Sequence, residues 1–209
     1  MHKLNLLIVD DHPLFRKGII SVIKDALIFE KIFEASTIKE VFDLLKKEKI
    51  DFITLDLNLP DGDGINIIEK IDYEQNIPIL VITTYNSQIL SRDVLKKGAK
   101  GYIAKENISD NLIDAINTIL RGGNYLDATA EMLDKNSESS TELYFTLTKA
   151  EKAIFKMIAE GKTSKEIAFD TGRSVKTIEN QRGAIMKKLN LKNETELVKL
   201  ALKLDIIDL

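Results

Sequence analysis

Five polar residues stand where short apolar runs in the first half of the chain end. Asp10 and Asp11 follow the first run, and Asp56 follows the third. Thr83 and Lys105 follow the fourth and fifth runs. An aspartate carboxylate can attack phosphorus to give an acyl phosphate, and this chemistry needs a divalent cation held by hard oxygen ligands. The five residues together predict a phosphoryl-accepting site.

Each residue type suits one part of this chemistry. Asp56 is ionised at neutral pH and so needs no general base. The three aspartates can bind the cation, and the backbone carbonyl of Asn58 could turn back toward the same ion. The Thr83 hydroxyl and the Lys105 ammonium could contact the oxygens of the incoming phosphoryl group. A single aspartate here is more often a helix cap or a solvated turn, so the prediction depends on the whole set.

The elements that must position these residues alternate along the first 120 residues. Apolar runs at 6–9, 32–35, 52–55, 79–82 and 102–104 alternate with amphipathic helical segments, and Ser36 is expected to cap the second helix. This order predicts an α/β fold with a five-stranded, doubly wound parallel sheet of the flavodoxin-like type. Ligands of such folds bind at the carboxyl ends of the strands, where the five polar residues would converge.

Composition and charge exclude several classes of protein. The 209 residues include no cysteine, which excludes disulfides, thiolate metal sites and a cysteine nucleophile. The two histidines, His2 and His12, argue against a zinc enzyme or a histidine-based triad, and we interpret His12 as a helix-start residue. No apolar run approaches the roughly 20 residues of a membrane span, and residues 1–11 do not resemble a signal peptide. We therefore expect a cytoplasmic protein without a membrane partner.

The charge distribution indicates two domains with different partners. Residues 1–144 carry 17 basic and 24 acidic residues, whereas residues 145–209 carry 13 basic and 9 acidic residues. We predict an α/β domain over residues 1–124, a linker over 125–144 and an all-α domain over 145–209. The linker contains a run at 136–142 without any apolar residue. The basic balance of the last domain suggests nucleic acid as its partner.

The last domain contains the pattern of a helix-turn-helix. Thr148 and Glu151 have the spacing of a capping box. Ser164 is expected to cap a helix over 165–170, and Ser174 starts a helix over 175–189. The turn between these two helices contains Gly172. In this arrangement the second helix enters the major groove and the first crosses the DNA backbone.

The exposed side of the second helix carries side chains suited to DNA. Lysine and arginine suit phosphates, asparagine and glutamine suit adenine edges, and glutamate could accept from a cytosine amino group. The alternative is a merely solvated helix face. The predicted DNA-contacting residues are Lys165, Lys176, Thr177, Glu179, Asn180, Gln181, Arg182, Lys187 and Lys188.

The motifs of the first domain resemble receiver domains of response regulators of the NarL/FixJ (LuxR-type) class. The resemblance is carried by residues 7–18 (LIVDDHPLFRKG), 56–64 (DLNLPDGDG) and 97–105 (KGAKGYIAK). It implies that a partner sensor histidine kinase phosphorylates Asp56, and that Asp10 and Asp11 are Mg²⁺ ligands. Thr83 and Lys105 are implied as phosphate contacts, and Thr83 and Tyr102 as the conformational switch. A strand aromatic that packs in the core is the alternative for Tyr102.

The last domain resembles the LuxR-type DNA-binding domain, so the resemblance covers nearly the whole chain. It is carried by the L-T-x-x-E motif at 147–151, by KEIA at 165–168 and by SVKTI at 174–178. The chain departs from the family at Glu179, Gln181, Gly183 and Ala184, and in the first domain at Thr84 and Tyr85. DNA binding is implied by the resemblance, whereas the base-reading residues are not. Because each monomer offers few basic contacts, we expect modest affinity and a dimer on a repeated half-site.

Three functional hypotheses follow. The leading one is a two-component response regulator, not an enzyme, in which phosphorylation of Asp56 promotes dimerisation and DNA binding. An aspartyl-phosphate phosphohydrolase uses the same nucleophile, but Asn58 stands where its second catalytic acid would be. A constitutive or protein-gated DNA-binding regulator with a vestigial receiver is the third, which Thr84 and Tyr85 favour mildly.

Overall fold

The computed structural model describes residues 4–26, 28–85, 87–127, 140–204 and 206–207. The chain divides into two compact units, Met1–Leu133 and Asp134–Leu209. Within the described residues, no helix is both long enough and apolar enough to cross a membrane.

The first unit is built on a parallel sheet of six strands in the order β2-β1-β3-β6-β7-β8. Its strands are β1 (Leu4–Val9), β2 (Phe29–Ala35), β3 (Phe52–Leu55), β6 (Ile79–Thr83), β7 (Gly101–Ala104) and β8 (Tyr125–Leu126). A separate two-stranded antiparallel sheet joins β4 (Asn58–Leu59) to β5 (Gly62–Asp63). The architecture confirms the predicted α/β fold with a parallel sheet.

Helices connect the strands of this unit. They are α1 (Pro13–Ala26), α2 (Ile38–Lys47), α3 (Ile65–Gln75), α4 (Gln88–Lys96) and α5 (Ile108–Leu120). One core cluster joins Leu6 and Phe52 of the sheet to Ile23 of α1 and Ile116 of α5. All residues of β3, β6 and β7 are buried, which is why these strands are short continuous apolar runs in the sequence.

Two local predictions for this unit were wrong. The sheet has six strands instead of five, because β8 pairs with β7 through Gly101 and Tyr125 and through Tyr102 and Leu126. A strand of two residues is too short to produce a recognisable apolar run. The cap of α2 is Thr37, whose hydroxyl accepts the Glu40 N–H, and not the preceding serine.

The regular elements described in the second unit are helices. They are α6 (Ser140–Phe145), α7 (Lys149–Ala159), α8 (Ser164–Thr171), α9 (Val175–Lys188) and α10 (Glu194–Lys203). Phe155, Ile167, Ile178 and Leu197, from four of these helices, are fully buried and form the core. α9 packs against α7 and α8, and α10 packs against α7. The all-α prediction for this unit is confirmed.

The capping box of Thr148 and Glu151 is present as predicted. The cap of α8 is Thr163, which forms a second capping box with Glu166, so the prediction of Ser164 was wrong by one residue. Both residues carry a hydroxyl, and only the backbone geometry decides which one lies outside the helix.

The predicted linker over 125–144 includes described residues with regular structure at both ends, namely β8 and most of α6. Its central part, 128–139, lies outside the described residues. The boundaries of the domains therefore stay a prediction.

Candidate functional site

The candidate site lies at the carboxyl ends of four neighbouring strands. Asp10 follows β1, Asp56 follows β3, Thr83 ends β6 and Lys105 follows β7. These strands are adjacent in the sheet and run in the same direction. The Asp56 N–H donates to the Val9 carbonyl at 2.8 Å, which holds the ends of β1 and β3 together.

Lys105 joins the two buried carboxylates of the site. Its Nζ lies 2.7 Å from Asp10 Oδ2 and 2.7 Å from Asp56 Oδ2. The Lys105 side chain is only 12% exposed and the Asp10 side chain 2%. The same Nζ lies 4.4 Å from the centre of the Phe15 ring, within cation–π range. One ammonium thus faces two carboxylates and an aromatic ring in a pocket largely closed to water.

Burial raises the pKa of the Asp56 carboxyl to about 6, although the Lys105 ammonium opposes this shift. Because that value lies below neutral pH, Asp56 is mostly ionised at pH 7. Burial lowers the pKa of the Lys105 ammonium, but the Asp56 and Asp10 carboxylates raise it by more, so the net shift is upward. Asp56 is therefore an ionised carboxylate beside a fully charged cation.

The cluster has the oxygen ligands of a divalent cation site. One potential ligand atom each of Asp10, Asp11, His12 and Asp56 lies within 4.8 Å of the others. The cluster contains three carboxylates, and two of them, Asp10 and Asp56, contact the Lys105 ammonium. The cluster therefore has excess negative charge that a divalent cation would neutralise. The residues present fit Mg²⁺, which prefers carboxylate oxygens.

His12 lies closer to the cluster than we expected. Its Nδ1 is 2.7 Å from Asp11 Oδ1 and 3.2 Å from Asp10 Oδ1. Its carbonyl accepts the N–H groups of Phe15 and Arg16, as a helix-start residue would. It therefore belongs to the start of α1 and also contacts the acidic cluster.

Tyr85 connects the acidic pocket to Tyr102. Asn58 donates from Nδ2 to the Tyr85 hydroxyl at 2.5 Å, and the Asn58 N–H donates to Asp56 Oδ1 at 3.3 Å. The fully buried Tyr102 donates from its hydroxyl to the Tyr85 carbonyl. The Tyr85 N–H lies 3.4 Å from Thr83 Oγ1. Tyr85 is thus bonded to three of the residues that the sequence singled out, whereas its neighbour Thr84 is exposed.

Arg16 is a site residue that sequence reasoning missed. Its Nη1 donates to the Asp10 carbonyl at 2.7 Å, and its Nε donates to Glu34 Oε2 at 2.7 Å. The signal was present, because Arg16 and the stacking residue Phe15 both belong to the quoted motif at 7–18. The first turn of α1 therefore holds both the Asp10 backbone and the Lys105 ammonium.

In the second unit, α8 and α9 form the predicted helix-turn-helix. Gly172 ends α8 with a φ of +64°, a conformation that favours glycine. Ser174 caps α9 by accepting the Thr177 N–H at 3.0 Å. Six of the predicted DNA-contacting residues are exposed, namely Lys165, Lys176, Thr177, Glu179, Asn180 and Lys187.

Three further predicted DNA contacts make bonds within this unit. Gln181 Oε1 accepts from Arg173 at 3.0 Å. Arg182 donates to the Lys162 carbonyl at 3.2 Å and pairs with a glutamate of α10. Lys188 donates to the Thr146 carbonyl at 3.0 Å and to a carboxylate oxygen of α7 at 3.1 Å. These contacts direct Arg182 and Lys188 to neighbouring segments of the unit, whereas we expected both on the DNA-facing side.

Comparison with known proteins identifies the two units separately. Residues 6–117 match the response regulator receiver domain, and residues 145–201 match the luxR family of bacterial regulatory proteins. The chain is 32% identical to the oxygen regulatory protein NreC of Staphylococcus carnosus (strain TM300), over 98% of this chain and 100% of that protein. It is also 32% identical to the transcriptional regulatory protein YdfI of Bacillus subtilis (strain 168), over 97% of both.

The structure is also similar to a solved DNA complex. RcsB from Salmonella enterica serovar Typhimurium, bound to a promoter in the presence of the phosphomimetic BeF3-, has a TM-score of 0.63 and 25% sequence identity. The similarity covers 97% of this chain and 99% of that chain.

Proposed function

The chain belongs to the two-component response regulators that join a receiver domain to a LuxR-family DNA-binding domain, and we propose that phosphorylation of Asp56 controls its binding to DNA. The observation that carries the proposal is the buried contact of one ammonium, on Lys105, with the Asp56 and Asp10 carboxylates at 2.7 Å each. The ionised Asp56 carboxylate, the Lys105 ammonium and further carboxylate oxygens that can bind a metal ion thus lie in one pocket.

The chemical step is a phosphoryl transfer to Asp56. A carboxylate oxygen attacks the phosphorus of a donor phosphohistidine, so that an O–P bond forms and the P–N bond breaks. The electron pair of that bond leaves on the imidazole nitrogen of the partner sensor histidine kinase. Lys105, whose Nζ lies 2.7 Å from Asp56 Oδ2, would neutralise the phosphoryl oxygens. The Thr83 hydroxyl, at the end of the neighbouring strand β6, would bond one of them.

Mg²⁺ is the cofactor that we assign to this site. Its ligands would be Asp10, Asp11 and Asp56, with the Asn58 carbonyl as a fourth. When bound, it neutralises the negative charge that develops on the phosphoryl oxygens. The first turn of α1 supports this ligand set, because Arg16 holds the Asp10 backbone.

The switch consists of Thr83, Tyr85 and Tyr102. A Thr83 hydroxyl that bonds a phosphoryl oxygen is drawn toward Asp56, which changes its contact with the Tyr85 N–H. A movement of Tyr85 in turn changes the hydrogen bond that the Tyr102 hydroxyl donates to the Tyr85 carbonyl. Phosphorylation thereby shifts a two-state equilibrium toward a homodimer that binds a repeated half-site of double-stranded DNA.

The partners and place of action follow from this role. The protein acts in the cytoplasm, where a kinase and DNA are both accessible. We expect a single phosphoryl transfer and no turnover of small phosphomonoesters, because Asn58 offers no second catalytic acid.

The test combines intact mass, oligomeric state and DNA binding. The full chain is incubated with Mg²⁺ and a small acyl-phosphate donor, alongside Asp56→Asn and the exposed-site control Asp114→Asn. We expect one phosphoryl group, a monomer-to-dimer shift and tighter DNA binding, all lost only in Asp56→Asn. DNA binding without any phosphoryl gain would contradict the proposal and favour the constitutive or protein-gated regulator.

A further inference from the structure

Three polar residues form a line on the outer side of α9. Lys176, Asn180 and Lys187 are four and seven residues apart, so a helix of 3.6 residues per turn places them on one face. All three are exposed, whereas Ile178 and Ile185 on the opposite face are fully buried in the core of the unit. The line is therefore the part of α9 farthest from the rest of its unit.

On this exposed face of α9, the positions between Asn180 and Lys187 carry almost no side chain. Gly183 and Ala184 are both exposed, and a Cβ added at Gly183 would meet nothing within 4 Å. A surface without long side chains lets the helix approach a groove closely. The Ala184 methyl group lies one helical turn beyond Asn180 and is the apolar group beside it on this face.

The remaining polar side chains of α9 with described contacts are engaged within the unit. Gln181 accepts a hydrogen bond from the turn before α9, and Arg182 and Lys188 bind neighbouring segments. Glu179 Oε2 lies 3.7 Å from Lys176 Nζ, an exposed pair of the weak kind that phosphate can replace. Asn180 is thus the amide best placed to read a base.

The length of the line fits a major groove. Lys187 comes eleven positions after Lys176, which is about 16 Å along the helix axis at ~1.5 Å per residue. The groove is about 12 Å wide, so the two flexible ammonium groups can reach phosphates on its two sides. Asn180 and the bare surface between the lysines then face the edges of the bases.

We propose that Asn180 reads an adenine and Ala184 a neighbouring thymine, so that each half-site of this regulator contains an A·T-rich step. The asparagine Oδ1 accepts from adenine N6–H while Nδ2 donates to N7, a bidentate contact that no other base pair offers in the same pattern. The Ala184 methyl packs against the thymine 5-methyl group. The inference rests on the proposed DNA interface of α9 and specifies what that interface recognises.

The test is selection of sites from random duplexes by the full chain in the presence of Mg²⁺ and BeF3-. Wild type should select a half-site with a fixed adenine, and Asn180→Ala should lose the preference at that position alone, by about 10-fold or more. Lys187→Ala is the matched control. It should weaken binding to all sequences similarly and reduce the salt dependence by about one phosphate contact per monomer.

Modified bases test the individual contacts on one selected duplex. Replacing the adenine by 7-deazaadenine removes N7 and should weaken wild type several-fold, but not Asn180→Ala. Replacing the thymine by uracil should weaken wild type about fourfold, the value for one buried methyl group, but not Ala184→Gly.

The outcomes separate this inference from the proposed function. If wild type selects no duplex at all, the proposed DNA interface itself is refuted. Normal selection by wild type with an unchanged adenine preference in Asn180→Ala would overturn the inference and leave that interface standing.

Discussion

Replacing Asp56 with asparagine removes a carboxylate whose ionisation is unfavourable in the folded protein. Burial raises the pKa of this group from 3.8 to about 6, even with the Lys105 ammonium beside it. A group whose pKa is higher in the folded chain binds its proton more tightly there than in the unfolded chain. Its contribution to stability is therefore present below about pH 4 and is lost as the pH rises through about 6.

The size of the effect follows from the shift in pKa. Two pKa units correspond to about 3 kcal/mol at ~1.4 kcal/mol per unit, so ionised Asp56 costs the folded protein about that much at about pH 7.5. Asp56→Asn keeps the shape of the side chain without the charge, and Lys105 keeps its contact with Asp10 at 2.7 Å. We expect the variant to be more stable than wild type by about 3 kcal/mol at about pH 7.5 and by about 1 kcal/mol at about pH 4.5.

Urea unfolding in the presence of a chelator, followed by tyrosine fluorescence, measures this difference. The chain contains no tryptophan, and four of its five tyrosines belong to the first unit, so the signal reports mainly on the unit that contains Asp56. The exposed-site control Asp114→Asn should change the free energy of unfolding far less. An Asp56→Asn variant that is less stable than wild type at neutral pH, or equally stabilised at both pH values, would refute the reasoning.

Three further predictions concern the site and the second unit. Mg²⁺ at about 100 times its dissociation constant should raise the free energy of unfolding of wild type by about 2.7 kcal/mol, measured by calorimetry. The same concentration should stabilise Asp56→Asn much less, and an equal gain in both proteins would show that the ion binds elsewhere. Tyr85→Phe removes the hydroxyl that accepts from Asn58 and should lower the free energy of unfolding of the first unit by about 1 kcal/mol in urea, so unchanged stability would count against this bond. Lys188→Met should destabilise the second unit by about 1 kcal/mol, because Lys188 binds Thr146 and Glu151. The salt dependence of DNA binding should not change, and a smaller salt slope in the variant would show that Lys188 contacts phosphate.

Asp10, Asp56, Thr83 and Lys105 could be found from the sequence because each stands at the end of a buried strand. A parallel sheet covered by helices on both faces produces short apolar runs, and the ends of such strands lie along one edge. Local pattern therefore predicted both the fold and the convergence of these residues. The helix-turn-helix was predictable for the same kind of reason, since its caps and turn glycine are local features.

Contacts between distant segments were decided only by the tertiary structure. The bonds of Tyr85 to Asn58 and Tyr102 join three separate parts of the first unit, and no local pattern indicates them. Arg182 and Lys188 have the chemistry of DNA contacts, but their angular position on α9 turns them toward other segments of the unit. The strand β8 exists because β7 provides a partner for two residues that have no strand pattern of their own. Sequence patterns report which face of an element is buried, whereas the partner of a polar side chain depends on what the fold brings beside it.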